Sequence, residues 1–174
     1  ARCGVRANMN VIPGCVESGR PPLNVVAQDF IGRAPQSLLS ELIVPGLALK
    51  GLEKSRGRLA RAVSAFIKNR PIAEQALLGE ALWPQFERLD DFAPTALMSK
   101  AEVAGIARVH ELGAHSFDHA TLQYETDDYA AADARRCADW FRSEMGVETT
   151  IYSFPNGSYR DSQVPGVLAA GFMT

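Results

Sequence analysis

Histidine and cysteine are scarce in this sequence, with three of each in 174 residues. The cysteines, Cys3, Cys15 and Cys137, are odd in number and widely spaced. They make no disulfide framework and match no zinc-ribbon spacing, so they read as small apolar fillers. No apolar run approaches the roughly 18 residues that a membrane-spanning helix needs. No charged stretch followed by an apolar one opens the chain, as a secretory signal would. Charge of one sign is lacking too: 18 basic residues against 20 acidic ones leave a formal net charge of -2. With no block of like charges either, neither a nucleic-acid surface nor a charged tail is indicated. Internal repeats and low-complexity segments are absent.

What is present suffices for one domain with its own core and falls short of two full-sized ones. The segment Ala1-Arg2-Cys3-Gly4 reads as the last turn of a helix with a glycine cap. Val5, Ala7, Met9 and Val11 then alternate with Arg6, Asn8 and Asn10, the pattern of a half-buried strand that ends at Pro13-Gly14. Residues Gln36 to Leu89 are mostly helical in pattern. Leu59, Val63, Phe66 and Ile67 form one helical stripe, and a second helix over Ile72 to Leu89 is expected to kink or break at Pro84. This stretch holds no cluster of His, Cys or carboxylates and reads as a helical insertion or lid over about residues 36–95.

From Ser99 the rhythm alternates between strands and helices. Ser99 and Glu102 make a capping-box pair, Glu111 to His115 a short strand, and Thr126 the cap of a long helix closed by Gly146. That helix carries the stripe Ala130, Ala134, Cys137 and Phe141. Thr149 to Phe154 reads as a strand, Pro155-Asn156-Gly157 as a turn, and Asp161 to Gly171 as a last helix. Strands alternating with helices predict a largely parallel α/β sheet or barrel.

All three histidines fall within ten residues, as His110, His115 and His119. Neutral imidazole is a common metal ligand, and an i, i+4 pair can aim two rings at one ion. Two unrelated surface histidines would give the same spacing. The position favours the ligand reading for His115 and His119, because they follow a strand and precede a helix, where α/β folds gather catalytic groups. His110, before that strand, reads as structural or surface. The Pro-Asn-Gly turn also follows a strand. It is either an ordinary connection or a way to aim a backbone N–H into a cleft as an oxyanion donor.

Together, Gly113-Ala114-His115-Ser116-Phe117-Asp118-His119-Ala120-Thr121-Leu122 and Tyr152-Ser153-Phe154-Pro155-Asn156-Gly157-Ser158-Tyr159 resemble the second and third motifs of the NodB-homology polysaccharide deacetylases, carbohydrate esterases of family four type. Gly4 to Val11 sits where members have a Gly-x-x-Ala-Thr-Phe-Phe-Val-like strand. The likeness is loose over residues 1–31 and close over 98–173. It implies a distorted (β/α) barrel carrying the helical insertion, and a single partial domain over 1–174. It implies removal of N-acetyl groups from amino-sugar polysaccharides or oligosaccharides. A divalent metal, usually zinc, is held by an Asp and two His, which His115 and His119 match. Asn156 takes the place of the backbone oxyanion donor, Pro155 and Gly157 flank it on the substrate side, and Ser116 braces the metal loop.

The family's Thr-Phe-Asp-Asp-Gly motif, source of the catalytic base and the metal-binding Asp, has no match in the sequence. The downstream general-acid histidine has none either, and Ser153 replaces a frequent arginine. Asp29, Asp90, Asp91 and Asp118 lack the context to stand in for the missing pair. The expectation is therefore a deacetylase domain truncated at both ends and inactive by itself. A catalytically inactive relative that binds carbohydrate or metal is the alternative.

Overall fold

The computed structural model describes residues 4–173. In chain order it contains strand β1 (Asn8–Val11), helices α1 (Pro13–Ser18), α2 (Leu23–Arg33), α3 (Gln36–Glu41), α4 (Arg56–Lys68), α5 (Ile72–Phe86) and α6 (Lys100–Ala107), strand β2 (Glu111–Ala114), and helices α7 (Asp127–Trp140) and α8 (Val164–Ala169). Two compact units result: the segment up to Arg20 joined with the segment from Leu97, and Pro21–Ala96. Among the described residues no helix is long and apolar enough to cross a membrane. The helix end expected at Ala1 to Cys3 lies outside the described residues, whereas Gly4 does have the left-handed φ of 66° that a glycine cap requires.

The first unit is mixed α/β. β1 and β2 pair in parallel, with Met9 opposite Leu112 and Val11 opposite Ala114. Single parallel bridges, Ala114 to Tyr152 and Ile151 to Met173, continue the same sense. The expected barrel is not formed by the described residues, whose sheet has two strands and does not close. The local reason is visible on both sides of Ala114. Ala114 N–H donates to Ile151 and its carbonyl accepts from Ser153 N–H, both at 2.8 Å. The ladder then stops, because Ser116 turns to φ 57° and Pro155 has no N–H to give. β1 is also shorter than its alternation suggests. Val5 is 64% exposed and only Val11 of the strand is buried.

Local chemistry sets the helix ends of this unit. Both reciprocal bonds of the Ser99–Glu102 capping box are present at the start of α6. Thr126 accepts from Tyr129 N–H to start α7. α7 runs into a π-helical turn, Phe141–Met145, which Gly146 closes at φ 65°. Ala130, Ala134, Cys137 and Phe141 are all buried along it.

The second unit is helical apart from its loops, one of which carries a single antiparallel bridge from Val44 to Leu47. It includes α2, which lies ahead of the residue 36 boundary expected for the helical stretch. Leu59, Val63 and Ile67, one face of α4, are fully buried with Val26, Ala27 and Phe30 of α2. Phe30 packs against Phe86 with ring centroids 4.8 Å apart. α5 does not break at Pro84 but continues to Phe86. The hydrogen bond that proline removes falls in the last turn, where few bonds remain to be lost and the Phe86 ring is anchored in the core.

Candidate active site

The segment following β2 leaves the sheet sharply. His115 N–H still donates to Val11 at 2.9 Å, the last ladder bond on that side. Ser116 and His119 then take φ of 57° and 62°. Left-handed backbone at a residue with a side chain costs on the order of 1 kcal/mol or more, so the surroundings must hold it in place. Two α7 residues and the start of α1 do so. Asp133 Oδ1 accepts from Ser116 Oγ–H at 3.0 Å and from Phe117 N–H at 2.9 Å. Ser116 Oγ in turn accepts from Ala120 N–H at 2.9 Å, closing the loop on itself. Arg136 pairs with Asp118 at 3.1 Å and lies 3.5 Å above the Phe117 ring. Gly14 N–H, in the first turn of α1, donates to the Phe117 carbonyl at 2.8 Å.

With residues 116–118 held, the rings at the two ends of the loop come together. The His115 and His119 centroids lie 5.1 Å apart with the planes inclined at 63°. His115 Nδ1 is 2.7 Å from the Ser153 carbonyl. A carbonyl only accepts, so Nδ1 carries the proton and the Nε2 lone pair is left for a ligand. Burial pushes the His115 pKa down, and the bond to Ser153 partly opposes this. The ring is therefore neutral near pH 7, the form that ligates metal.

The Pro155–Gly157 turn reaches the same loop. Asn156 Nδ2 donates to Thr121 Oγ1 at 2.8 Å, two residues after His119. Asn156 and Gly157 both have left-handed φ, 60° and 63°. The turn is closed by Gly157 N–H to the Phe154 carbonyl and Ser158 N–H to that of Pro155. Phe154 and Tyr159 stack beside it at 4.1 Å.

His110 is separate, as the sequence suggested. It precedes β2, and its Nδ1 accepts from Ala7 N–H at 3.2 Å. Cys15 and Cys137 are buried free thiols, and burial pushes Cys15 up to about 12. Cys3 lies outside the described residues. The residue that sequence reasoning missed is Asp133. Its signal was a carboxylate three residues after Ala130 and four before Cys137, squarely on a stripe read as apolar.

The donor set suits a divalent cation in part. Two imidazoles lie edge to face, with one tautomer fixed by a backbone carbonyl, the usual outer support of a histidine ligand. Among the described residues, no group of three or more His, Cys, Asp or Glu is placed to hold a metal ion. The pair can thus supply two ligands of a larger set.

Side chains gathered where parallel strands end are the layout of an α/β enzyme site. A family profile described as polysaccharide deacetylase matches residues 88–174, half of the chain, and the chain belongs to that family of hydrolases. No curated protein matches it. Among solved structures, the Streptococcus pyogenes deacetylase PplD in complex with acetate is similar at 12% identity, over 97% of this chain and 78% of that one, with a TM-score of 0.42. A likeness at that level transfers no residue roles.

Proposed function

We propose that this chain carries the histidine-pair portion of a metal-dependent deacetylase site that acts on N-acetylated amino sugars in polysaccharides or oligosaccharides. His115 and His119 are the metal ligands, each through a neutral ring nitrogen. The backbone N–H of Asn156 is the oxyanion donor, Pro155 and Gly157 flank the bound acetamide, and Ser116 holds the loop between the ligands. The observation that carries the reading is the paired rings, 5.1 Å apart, with His115 oriented by Ser153. A divalent ion, zinc by preference, supplies Lewis acidity toward the acetamide carbonyl when bound. The protein's part is to keep His115 neutral, to hold both rings through a strained loop, and to fix the Asn156 turn beside them. The helical stretch over about residues 36–95 is proposed as an insertion in this domain.

Two imidazoles leave zinc two of its four positions to fill and bring no carboxylate base. The 174-residue chain should therefore bind zinc weakly and release no acetate from N-acetylglucosamine oligomers. Titration with zinc is the direct test. Alanine at His115 or His119 should abolish the weak binding, and alanine at His110 should leave it unchanged. Binding that survives both His115→Ala and His119→Ala would overturn the assignment. Acetate release by the chain alone would show a base within it that the proposal lacks.

A further inference from the structure

The most unusual buried group in the first unit is one that the deacetylase reading does not use. Asp133 is 5% exposed, inside a helix face otherwise lined by Ala130, Ala134 and Cys137. A carboxylate in such a place is costly unless its oxygens are satisfied. Here they are, and the donors are not scattered. Oδ1 takes Ser116 Oγ–H and Phe117 N–H, both between the two paired histidines. Oδ2 takes the Tyr152 hydroxyl at 2.7 Å. Tyr152 is itself buried and stands next to Ser153, whose carbonyl orients His115. One carboxylate thus grips both segments that meet at the candidate site, from a helix belonging to neither.

We infer that Asp133 is a positioning residue that fixes the His115–His119 spacing and the His115 tautomer by tying the histidine loop to the Tyr152–Ser153 segment. The inference rests on the reading of the histidine pair as metal ligands. Its geometry makes a specific demand. Without Asp133, Ser116 Oγ–H and Phe117 N–H lose their acceptor, and the left-handed turn at Ser116 loses two of the bonds that hold it. The histidines remain in the chain but no longer converge. Asparagine keeps the volume and the Oδ1 acceptor, and its amide can donate to a rotated Tyr152 hydroxyl. Leucine keeps much of the volume and no acceptor.

The test uses the 174-residue chain, with zinc affinity and the ring-nitrogen NMR shifts of His115 in the zinc-free protein as readouts. Asp133→Leu should weaken zinc binding by about tenfold to a hundredfold, the usual cost of losing support behind a ligand. It should also remove the Nδ1–H signature of His115. Asp133→Asn should restore both to within a few-fold, and Asp139→Asn, on the exposed side of α7, should change neither. A merely structural role would lower the melting temperature but spare the affinity and tautomer of the folded protein. If Asp133→Leu does not fold, Ser116→Ala decides. It removes the Ser116 bond to Asp133, and with it the acceptor of Ala120 N–H, with little volume change, and should weaken zinc binding severalfold and broaden the His115 signals. Unchanged affinity and unchanged His115 shifts in a folded Asp133→Leu or Ser116→Ala chain would overturn the inference while leaving the ligand assignment intact. Zinc binding that ignores His115→Ala and His119→Ala would remove the ligand assignment instead. The tautomer readout would then still decide whether Asp133 positions the loop.

Discussion

The two units solve the problem of a stable interior in different ways. In Pro21–Ala96 the interior is apolar and aromatic. Phe30, Phe86 and Phe92 contact one another, and Trp83 meets Phe86 edge-on. Leu59, Ile67 and Leu82 are fully buried around them. In the other unit, the centre holds a carboxylate bonded by Ser116, Phe117 and Tyr152, and strained backbone collects around it. Among the described residues, four non-glycine positions have left-handed φ: Asp91, Ser116, His119 and Asn156. Three of these four lie in the two loops that meet at the candidate site. Strain is thus concentrated where chemistry is proposed, and the helical unit is nearly free of it. Nothing in an apolar core demands one exact backbone path, whereas converging ligands do.

The contrast breaks most visibly if the helical core is opened. Phe30→Ala removes a fully buried ring and should destabilise its unit by about 3–5 kcal/mol. Each unit holds one of the two tryptophans, Trp83 and Trp140. Trp140→Phe and Trp83→Phe backgrounds therefore let denaturant unfolding be followed unit by unit. The Trp83 transition should move to lower denaturant while the Trp140 transition and the weak zinc affinity hold. Equal movement of both transitions would show a single cooperative body and erase the distinction.

A smaller but more local change tests whether the loop tolerates displacement. A Cβ at Gly14 would sit 2.4 Å from Asp118 Oδ1 and 2.8 Å from the Phe117 carbonyl oxygen. Asp118 is held by Arg136, and the carbonyl is backbone, so neither can yield cheaply. Gly14→Ala should cost about 1–3 kcal/mol, typical of overpacking. It should also reduce zinc affinity, because the push falls between the two histidines. An alanine variant with native affinity would mean that the loop is less fixed than its bonds suggest. By comparison, Thr126→Ala removes only the α7 cap. It should cost about 1 kcal/mol in a thermal or denaturant melt and leave zinc binding alone.

Much of this was legible in the sequence, and the parts that were not share a cause. Caps are local, so Ser99–Glu102, Thr126 and Gly146 read correctly from residue type and spacing. The stripe on α4 read correctly because periodicity reports a covered face. Alternation over Val5 to Val11 overstated β1, because a period of two shows that two faces differ and not that either is covered. Thr149 to Phe154 has strand composition, yet it contributes only single bridges, since pairing depends on partners distant in sequence. The histidine pair stood out as two rare residues at a suggestive spacing. Asp133 did not, because its meaning comes from Ser116, Phe117 and Tyr152, which only the tertiary fold brings to it.

The finest test of the contrast is pH, because the first unit buries titratable groups whose shifts have opposite consequences. His115 has its pKa lowered from 6.5, mainly by burial. Below 6.5 the unfolded chain takes up a proton there that the folded chain refuses, so stability at this residue falls as pH drops toward the folded pKa. Asp133 has its pKa raised from 3.8, again mainly by burial, against the bonds from Tyr152, Phe117 and Ser116. Between 3.8 and the folded pKa, the folded chain is the one that binds more protons. Stability from Asp133 is therefore fully present below 3.8 and is lost as pH rises through the folded value. Acidification from neutrality should first cost stability through His115 and then recover part of it through Asp133. Trp140-reported unfolding across this range should show both limbs. Asp133→Asn, which cannot titrate, should flatten the lower limb, and His115→Gln the upper. The Trp83-reported unit contains no histidine and should lack the upper limb. An upper limb that persists in His115→Gln would assign it to another group and show that the His115 ring is less enclosed than its place beside Ser153 requires.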